Sequence, residues 1–140
     1  GKGLLLLEHL NLNVLSAEVA LDFYEALGCV RDASRPMNKT LHNNCGALTQ
    51  FHTPSPTVEA YIGSEGAQRW RGEIELLYED AAGARAAAAR AKGLLGKPGF
   101  AGSELAVDEA AGDEVRVTGP YGNKFVLRVA PEQRRVLLGP

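Results

Sequence analysis

Two segments of the chain alternate between apolar and polar residues with a period of two, which is typical of strands that bury one face. The first segment reads Glu-His-Leu-Asn-Leu-Asn-Val over residues 8–14, and the second reads Gly-Glu-Ile-Glu-Leu-Leu-Tyr over residues 72–78. His9 aligns with Glu73 when the chain is shifted by 64 residues. Successive side chains point to opposite faces of a strand, so the leucines are predicted to face the core and His9 the other side.

The same shift aligns two helix signals that follow the two strands. Ser16 falls on Asp80, and both are residue types that cap the start of a helix. The first helix is predicted to carry its apolar residues as one stripe and to end at Gly28, which suits a left-handed closing position. The second segment is rich in alanine, which has high helix propensity, and its low bulk allows close packing on a sheet.

Short strand-like segments follow each helix, and a Pro- and Gly-rich turn at residues 119–123 precedes the last of them. The predicted strands cover residues 28–32, 40–42, 46–53, 103–108, 113–118 and 124–129. The sequence therefore predicts one α+β domain over residues 1–140, built as two tandem βαβββ modules. Module 1 covers residues 5–56, a linker 57–70, module 2 71–131 and a C-terminal tail 132–140.

The chain has 140 residues and a formal net charge of −2, which provides no basic surface for nucleic acid. The apolar run Leu4–Leu7 is too short for membrane insertion. Cys29 and Cys45 lack the spacing of a zinc or redox motif, so two free thiols are favoured over one disulfide. We therefore expect a cytoplasmic or organellar protein in a reducing compartment. The only methionine is Met37, which indicates a processed or trimmed chain.

The opening of the chain resembles that of a known superfamily. His-Leu-Asn-Leu-Asn-Val from His9, with a helix that ends Phe-Tyr-Glu-Ala-Leu-Gly, is similar to the start of glyoxalase, bleomycin-resistance and extradiol-dioxygenase proteins. The turn Gly-Pro-Tyr-Gly-Asn resembles the Asp-Pro-x-Gly-Asn of this vicinal oxygen chelate superfamily, with Gly119 in place of Asp. The resemblance implies two modules that form a curled mixed sheet around a cavity.

The resemblance also places four metal-ligand positions, at His9, Gln50, Glu73 and Val126. His9 matches the usual residue, and Gln50 can supply an oxygen. Glu73 stands where the enzymes usually have a histidine, and Val126 cannot bind a metal. The resemblance thus implies a degenerate metal site. A protein without a metal is favoured, and one divalent ion (Ni, Zn, Fe or Mn) is the alternative cofactor.

A rearranged metal site is a second interpretation. His52 lies two residues after Gln50 and should face the same way, so His9, His52 and Glu73 would supply the donor set of non-haem iron sites. Glu73 is then the candidate catalytic base. The other side chains expected to bind a ligand are Asn11, Asn13, Glu75, Arg128 and Trp70.

These side chains also have structural interpretations. Glu73 and Glu75 can form ion pairs with Arg71 or Arg128 on a strand face. The linker aromatic Tyr61, like the tryptophan, is expected to line a pocket mouth, to meet a partner or to pack.

Three functions remain open on the sequence. The first is a small-molecule binding protein or a non-catalytic accessory protein, and the missing ligand at Val126 favours it. The second is a metal-dependent lyase, isomerase or dioxygenase with a remodelled site. The third is a structural subunit of a larger assembly, and a homodimer is a further expectation.

Overall fold

The computed structural model describes residues 2–36, 40–54, 67–111 and 114–137. The chain forms, in order, β1 (His9–Asn11), α1 (Ala17–Leu27), β2 (Val30–Arg31), β3 (Thr40–Cys45), β4 (Thr49–Pro54), β5 (Glu73–Tyr78), α2 (Ala81–Gly93), β6 (Ala106–Ala111), β7 (Glu114–Thr118), β8 (Lys124–Val129) and α3 (Glu132–Leu137). A strand, a helix and three strands therefore occur twice. The predicted α+β class and the two tandem βαβββ modules are confirmed.

The chain divides into two compact units, Gly1–Gln68 and Arg69–Pro140, and each holds one four-stranded mixed sheet. The strand order is β1-β4-β3-β2 in the first sheet and β5-β8-β7-β6 in the second. In both sheets the first strand of the module pairs in parallel with the last, and the other pairs are antiparallel. The first and last strands of each module are thereby neighbours, which brings their side chains onto one face.

Both predicted helix caps are present. The Ser16 hydroxyl accepts a hydrogen bond from the Val19 N–H at 3.3 Å, and the Asp80 carboxylate accepts one from the Gly83 N–H at 2.7 Å. Gly28 ends α1 in the left-handed region with a φ of 107°, where a side chain would be strained. Local signals alone therefore set these helix ends.

Helix α1 lies on its sheet through bulky side chains, as its stripe predicts. Phe23 and Leu27 are buried, and Tyr24 stacks on Phe51 of β4 with ring centroids 4.8 Å apart. Helix α2 instead lies close to its sheet, as predicted, because the residues that it buries there are alanines. They are Ala84, Ala87, Ala88 and Ala91.

Several element boundaries differ from the predictions. Strand β3 continues to Cys45 where the sequence indicated a short strand, because it pairs with all of β4. Strand β2 is only Val30–Arg31, since it lies at the edge of its sheet. Residues 132–137, predicted as a tail, form α3, and the Arg135 guanidinium donates to the Glu79 carbonyl oxygen. No helix in the described ranges has the length and apolar character that crossing a bilayer requires.

The turn predicted at residues 119–123 is present and holds the start of the second unit. The buried Asn123 side chain accepts a hydrogen bond from the Trp70 N–H at 2.8 Å. Gly122 has a φ of 91°, and an added Cβ would lie 2.7 Å from the Arg69 guanidinium carbon. Arg69 in turn pairs with Glu104. Asn123 therefore fixes the chain directly before β5.

Candidate functional site: a histidine cluster and an ion-pair network

All three histidines of the chain meet on the face of the first sheet that lies opposite α1. The His9 and His52 rings stack with centroids 4.0 Å apart and planes inclined by 10°. His42 meets His52 edge-on at a centroid distance of 4.1 Å, because the two residues are direct partners across β3 and β4. We call His9, His42 and His52 the histidine cluster.

A chain of hydrogen bonds links this cluster to Gln50. The Gln50 amide nitrogen donates to Asn44 Oδ1 at 2.6 Å and to Asp32 Oδ2 at 3.1 Å. Its oxygen, 2.9 Å from His52 Nε2, can only accept, so His52 carries a proton on Nε2. His42 Nδ1 also lies 2.9 Å from His52 Nε2, so a proton on this nitrogen faces two acceptors, the Gln50 oxygen and the His42 ring. The Gln50 oxygen, the donor expected for a metal, is therefore already used by His52.

Two groups in this chain of hydrogen bonds, His52 and Asp32, have shifted pKa values. Burial, helped by the neighbouring His42 and His9 rings, lowers the pKa of His52 to about 4. Hydrogen bonds from the Ser34 hydroxyl and N–H, and then from Gln50, lower the pKa of Asp32. At neutral pH the hydrogen bonds thus run from the Asp32 carboxylate through the Gln50 amide to the neutral His52 imidazole, and the Asn44 amide is a branch at Gln50.

The His52 shift predicts a pH dependence of stability. The unfolded chain binds a proton at this imidazole near pH 6.5, whereas the folded chain binds it near 4. The unfolded chain therefore holds more protons in this window, so the free energy of unfolding falls as the pH is lowered from 6.5 to 4. Solvent screening of the partly exposed ring keeps the loss below about 1 kcal/mol.

Urea unfolding at a series of pH values measures this loss. In a His52→Gln variant, the free energy of unfolding should fall less steeply between pH 6.5 and 4. The part of the fall that comes from carboxylate titration should be the same in both proteins. An NMR midpoint for the His52 ring at or above 6.5 would contradict the prediction.

In the second unit, the face that carries Glu73 forms an ion-pair network. Arg116 of β7 donates to Glu73 of β5 at 2.6 Å. Arg128 of β8 donates to Glu75 at 3.3 Å and to Glu114 at 2.5 Å. We call these five residues the ion-pair network. Each carboxylate of the network is therefore neutralised by at least one arginine.

Val126 lies in the middle of this network. It pairs with Glu75 on one side and with Arg116 on the other, and it is 2% exposed. The Arg116–Glu73 ion pair spans β8, the strand that carries Val126. The position that would need a fourth metal ligand is thus apolar, buried and flanked by side chains that already bind each other.

The structure brings together some predicted site residues and separates others. His9, Gln50 and His52 share one face of the first unit, and Glu73, Glu75 and Arg128 share one face of the second. Asn11 is exposed on β1, and Trp70 is 40% exposed. Asn13 is buried, and its main chain exchanges two hydrogen bonds with Gln68. Tyr61 lies outside the described residues.

Sequence reasoning missed three members of these sites. Arg116 pairs with Glu73, for which Arg71 or Arg128 was expected, whereas the expected pair of Arg128 with Glu75 is present. Glu114 is a further acidic partner of both arginines. His42 was missed because the predicted strand 40–42, which contains it, was not paired with the strand that contains His52. A hairpin turn at residues 46–48 would have set His42 opposite His52 and is the signal that could have found it.

The donor set does not fit the four-ligand metal site that the resemblance implies. Val126 supplies no donor atom, and the Gln50 oxygen and the Glu73 carboxylate are bound to His52 and Arg116. Over the described residues, no three His, Cys, Asp or Glu side chains are grouped so as to hold a metal ion.

Comparisons with solved structures identify shared architecture. The chain is similar to a glyoxalase/bleomycin resistance protein/dioxygenase family enzyme from Burkholderia phytofirmans PsJN, with a TM-score of 0.63 and 12% identity over 86% of this chain and 94% of that one. It is similar to the fosfomycin resistance protein FosX from Mesorhizobium loti, with a TM-score of 0.60 and 15% identity over 94% and 96%.

It is also similar to TnmS3, an antibiotic binding protein from Streptomyces sp. CB03234, with a TM-score of 0.58 and 22% identity over 92% and 98%. No protein-family model and no curated protein matches the sequence. Identities this low establish a common fold.

Proposed function

We propose that this chain, which has the fold of the vicinal oxygen chelate superfamily, binds a small polar organic ligand at its histidine cluster and does so without a bound metal ion. The observation that carries the proposal is that the metal-ligand positions implied by the resemblance are engaged by other side chains or have no donor atom. Gln50 and Glu73 are bound to other side chains, and Val126 has no donor. A non-catalytic accessory role is consistent with the same observation.

The histidine cluster offers the groups that recognise such a ligand. His9 is the outer ring of the stack, and its side chain is 39% exposed, so a planar group can stack on it. Asn44, on the same face of the sheet and on the other side of Gln50, supplies an amide N–H₂, since its oxygen is taken by Gln50. Because hydrogen bonds already hold Gln50, His52 and His42, little order has to be gained on binding. TnmS3, which shares the fold, is an antibiotic binding protein.

The second unit, taken by itself, is proposed to carry further ligand-binding residues. Arg128 and Glu75 form an exposed ion pair that can reopen toward a charged group of a small molecule. Asn11 and Trp70 remain proposed contacts, and a homodimer or larger assembly remains a prediction.

Imidazole NMR tests the proposal directly, because every histidine of the chain belongs to the cluster. Bleomycin, fosfomycin and a library of planar polar fragments are added to metal-free protein. At least one compound should shift the imidazole signals, with a Kd about fivefold weaker in His9→Ala, as expected for the loss of one ring stack of about 1 kcal/mol. The variant Glu25→Gln, exposed on α1, should bind as the wild type does.

A metal-dependent function is the second candidate, and the adjacent His9 and His52 rings favour it. Elemental analysis after equilibration with nickel, zinc, manganese or iron separates the two. We expect less than one equivalent to be retained. One equivalent that is retained by the wild type and by Glu25→Gln, but lost in His9→Ala and Glu73→Gln, would replace the binding proposal with the enzyme alternative.

A further inference from the structure

The register between β2 and β3 sets the two cysteines of the chain opposite each other. Val30 pairs with Asn44 and Arg31 pairs with Asn43 in an antiparallel ladder. One further step of this register places Cys29 against Cys45. Side chains of directly opposed residues lie on the same face of a sheet, so the two thiols face each other.

The hydrogen-bond pattern identifies the kind of pair that they form. The Asp32 N–H donates to the His42 carbonyl oxygen at 2.8 Å, which marks that pair as hydrogen-bonded. Pairs alternate along an antiparallel ladder, so the pair of Cys29 and Cys45 is of the non-hydrogen-bonded kind. The Cys29 N–H donates to the Tyr24 carbonyl at 2.9 Å instead. Cα atoms of such pairs are about 4.5 Å apart, a separation that a disulfide can span.

The two thiols differ in accessibility and in chemistry. Cys29 is buried, and Cys45 is partly exposed. The Cys29 thiol donates a hydrogen bond to the Cys45 sulfur, which lowers the pKa of Cys45. The same hydrogen bond, together with burial, raises the pKa of Cys29. Cys45 is therefore the thiol that ionises first and that a reagent in solution can reach.

We propose that Cys29 and Cys45 form a reversible redox pair, which low-molecular-weight disulfides such as oxidised glutathione convert to a cross-strand disulfide. The Cys45 thiolate attacks one sulfur of the glutathione disulfide and releases one glutathione thiolate. Cys29 then gives its proton to solvent and attacks Cys45 Sγ, which releases the second glutathione. Two protein thiols are oxidised, and one glutathione disulfide is reduced to two thiols.

The new bond would fasten the short edge strand β2 to β3. Asp32, which directly follows β2, accepts a hydrogen bond from Gln50, so the cross-link would hold one end of the chain that leads to the histidine cluster. This inference does not depend on the proposed ligand, since it rests on the register and on the two thiols alone.

Peptide mapping of the full chain tests the inference. Reduced protein is equilibrated in glutathione buffers of increasing oxidised fraction, quenched with acid, alkylated and digested with trypsin. Cleavage after Arg31 and Lys39 separates the two cysteines, so an internal disulfide appears as two joined peptides that a reductant releases. We expect this species to dominate in the oxidised buffers, and the thermal midpoint to rise on the order of 10 °C.

The single-cysteine variants test the order of attack. Cys29→Ala should stop as a glutathione adduct on Cys45, whereas Cys45→Ala should leave Cys29 unmodified. If either variant does not fold, as judged by circular dichroism, the wild-type map still decides. Two alkylated thiols in the most oxidised buffer, a lasting glutathione adduct on the wild type, or a disulfide between separate chains would overturn the inference.

Discussion

Asn43→Leu is expected to raise the free energy of unfolding by about 2 kcal/mol, although most core substitutions destabilise. Asn43 has no exposed surface, and neither polar atom of its side chain has a hydrogen-bond partner among the described residues. It lies on β3 on the same face as the buried Leu41, toward α1. Folding therefore removes an amide from water without replacing its hydrogen bonds. Leucine has the same branching and needs none.

Urea unfolding at pH 7 measures the change. Asn43→Val is a second, smaller apolar replacement. It tests the same prediction if the leucine side chain is too large for the site. The neighbouring Asn44→Leu is the matched control, because Asn44 faces the other way and accepts a hydrogen bond from Gln50 at 2.6 Å. It should lose about 1 kcal/mol. If both Asn43 variants were less stable than the wild type, the buried amide would have to be satisfied, for instance by an internal water.

The features that could be predicted from the sequence depend on neighbours in the chain. The caps at Ser16 and Asp80 each require a side-chain oxygen three residues before the N–H that it accepts from. Gly28 needs only its own φ angle. Such signals recur at a fixed shift, and the repeat together with the resemblance was sufficient to predict the βαβββ order in both units.

The features that could not be predicted depend on which strands become neighbours. Arg116 reaches Glu73 because β8 lies between β5 and β7 and because its residue at the crossing, Val126, is small and apolar. Nothing near Arg116 in the chain indicates this partner. A glutamate that binds a metal and a glutamate in a structural ion pair therefore cannot be told apart in the sequence, and only the strand order distinguishes them.

The histidine cluster shows the same limit on a shorter scale. The face shared by Gln50 and His52 was predictable, because it follows from their spacing on one strand. The third ring, His42, required the register of the β3–β4 hairpin. With all three rings in place, the imidazoles and the Gln50 amide are hydrogen-bonded to each other. This arrangement favours a preformed surface that binds a ligand over a set of unengaged metal ligands.

The close approach of α2 to its sheet leads to the second large effect. Ala88→Leu is expected to lower the free energy of unfolding by about 2 kcal/mol, because interiors are close-packed and a larger side chain forces the helix away or takes a strained rotamer. Ala88 has no exposed surface, and α2 packs on β8, β7 and β5. Leucine is nearly as good a helix former as alanine, so helix propensity does not account for the loss.

Ala89→Leu, one residue along the same helix and exposed, is the matched control and should change stability by less than about 0.5 kcal/mol. Both variants are compared by urea and by thermal unfolding. Equal stability of the two would mean that the sheet side of α2 has room for larger residues. In that case the alanine pattern would reflect helix propensity alone. A loss confined to Ala88→Leu shows instead that the small residues set the distance between helix and sheet, which larger side chains set in the first unit.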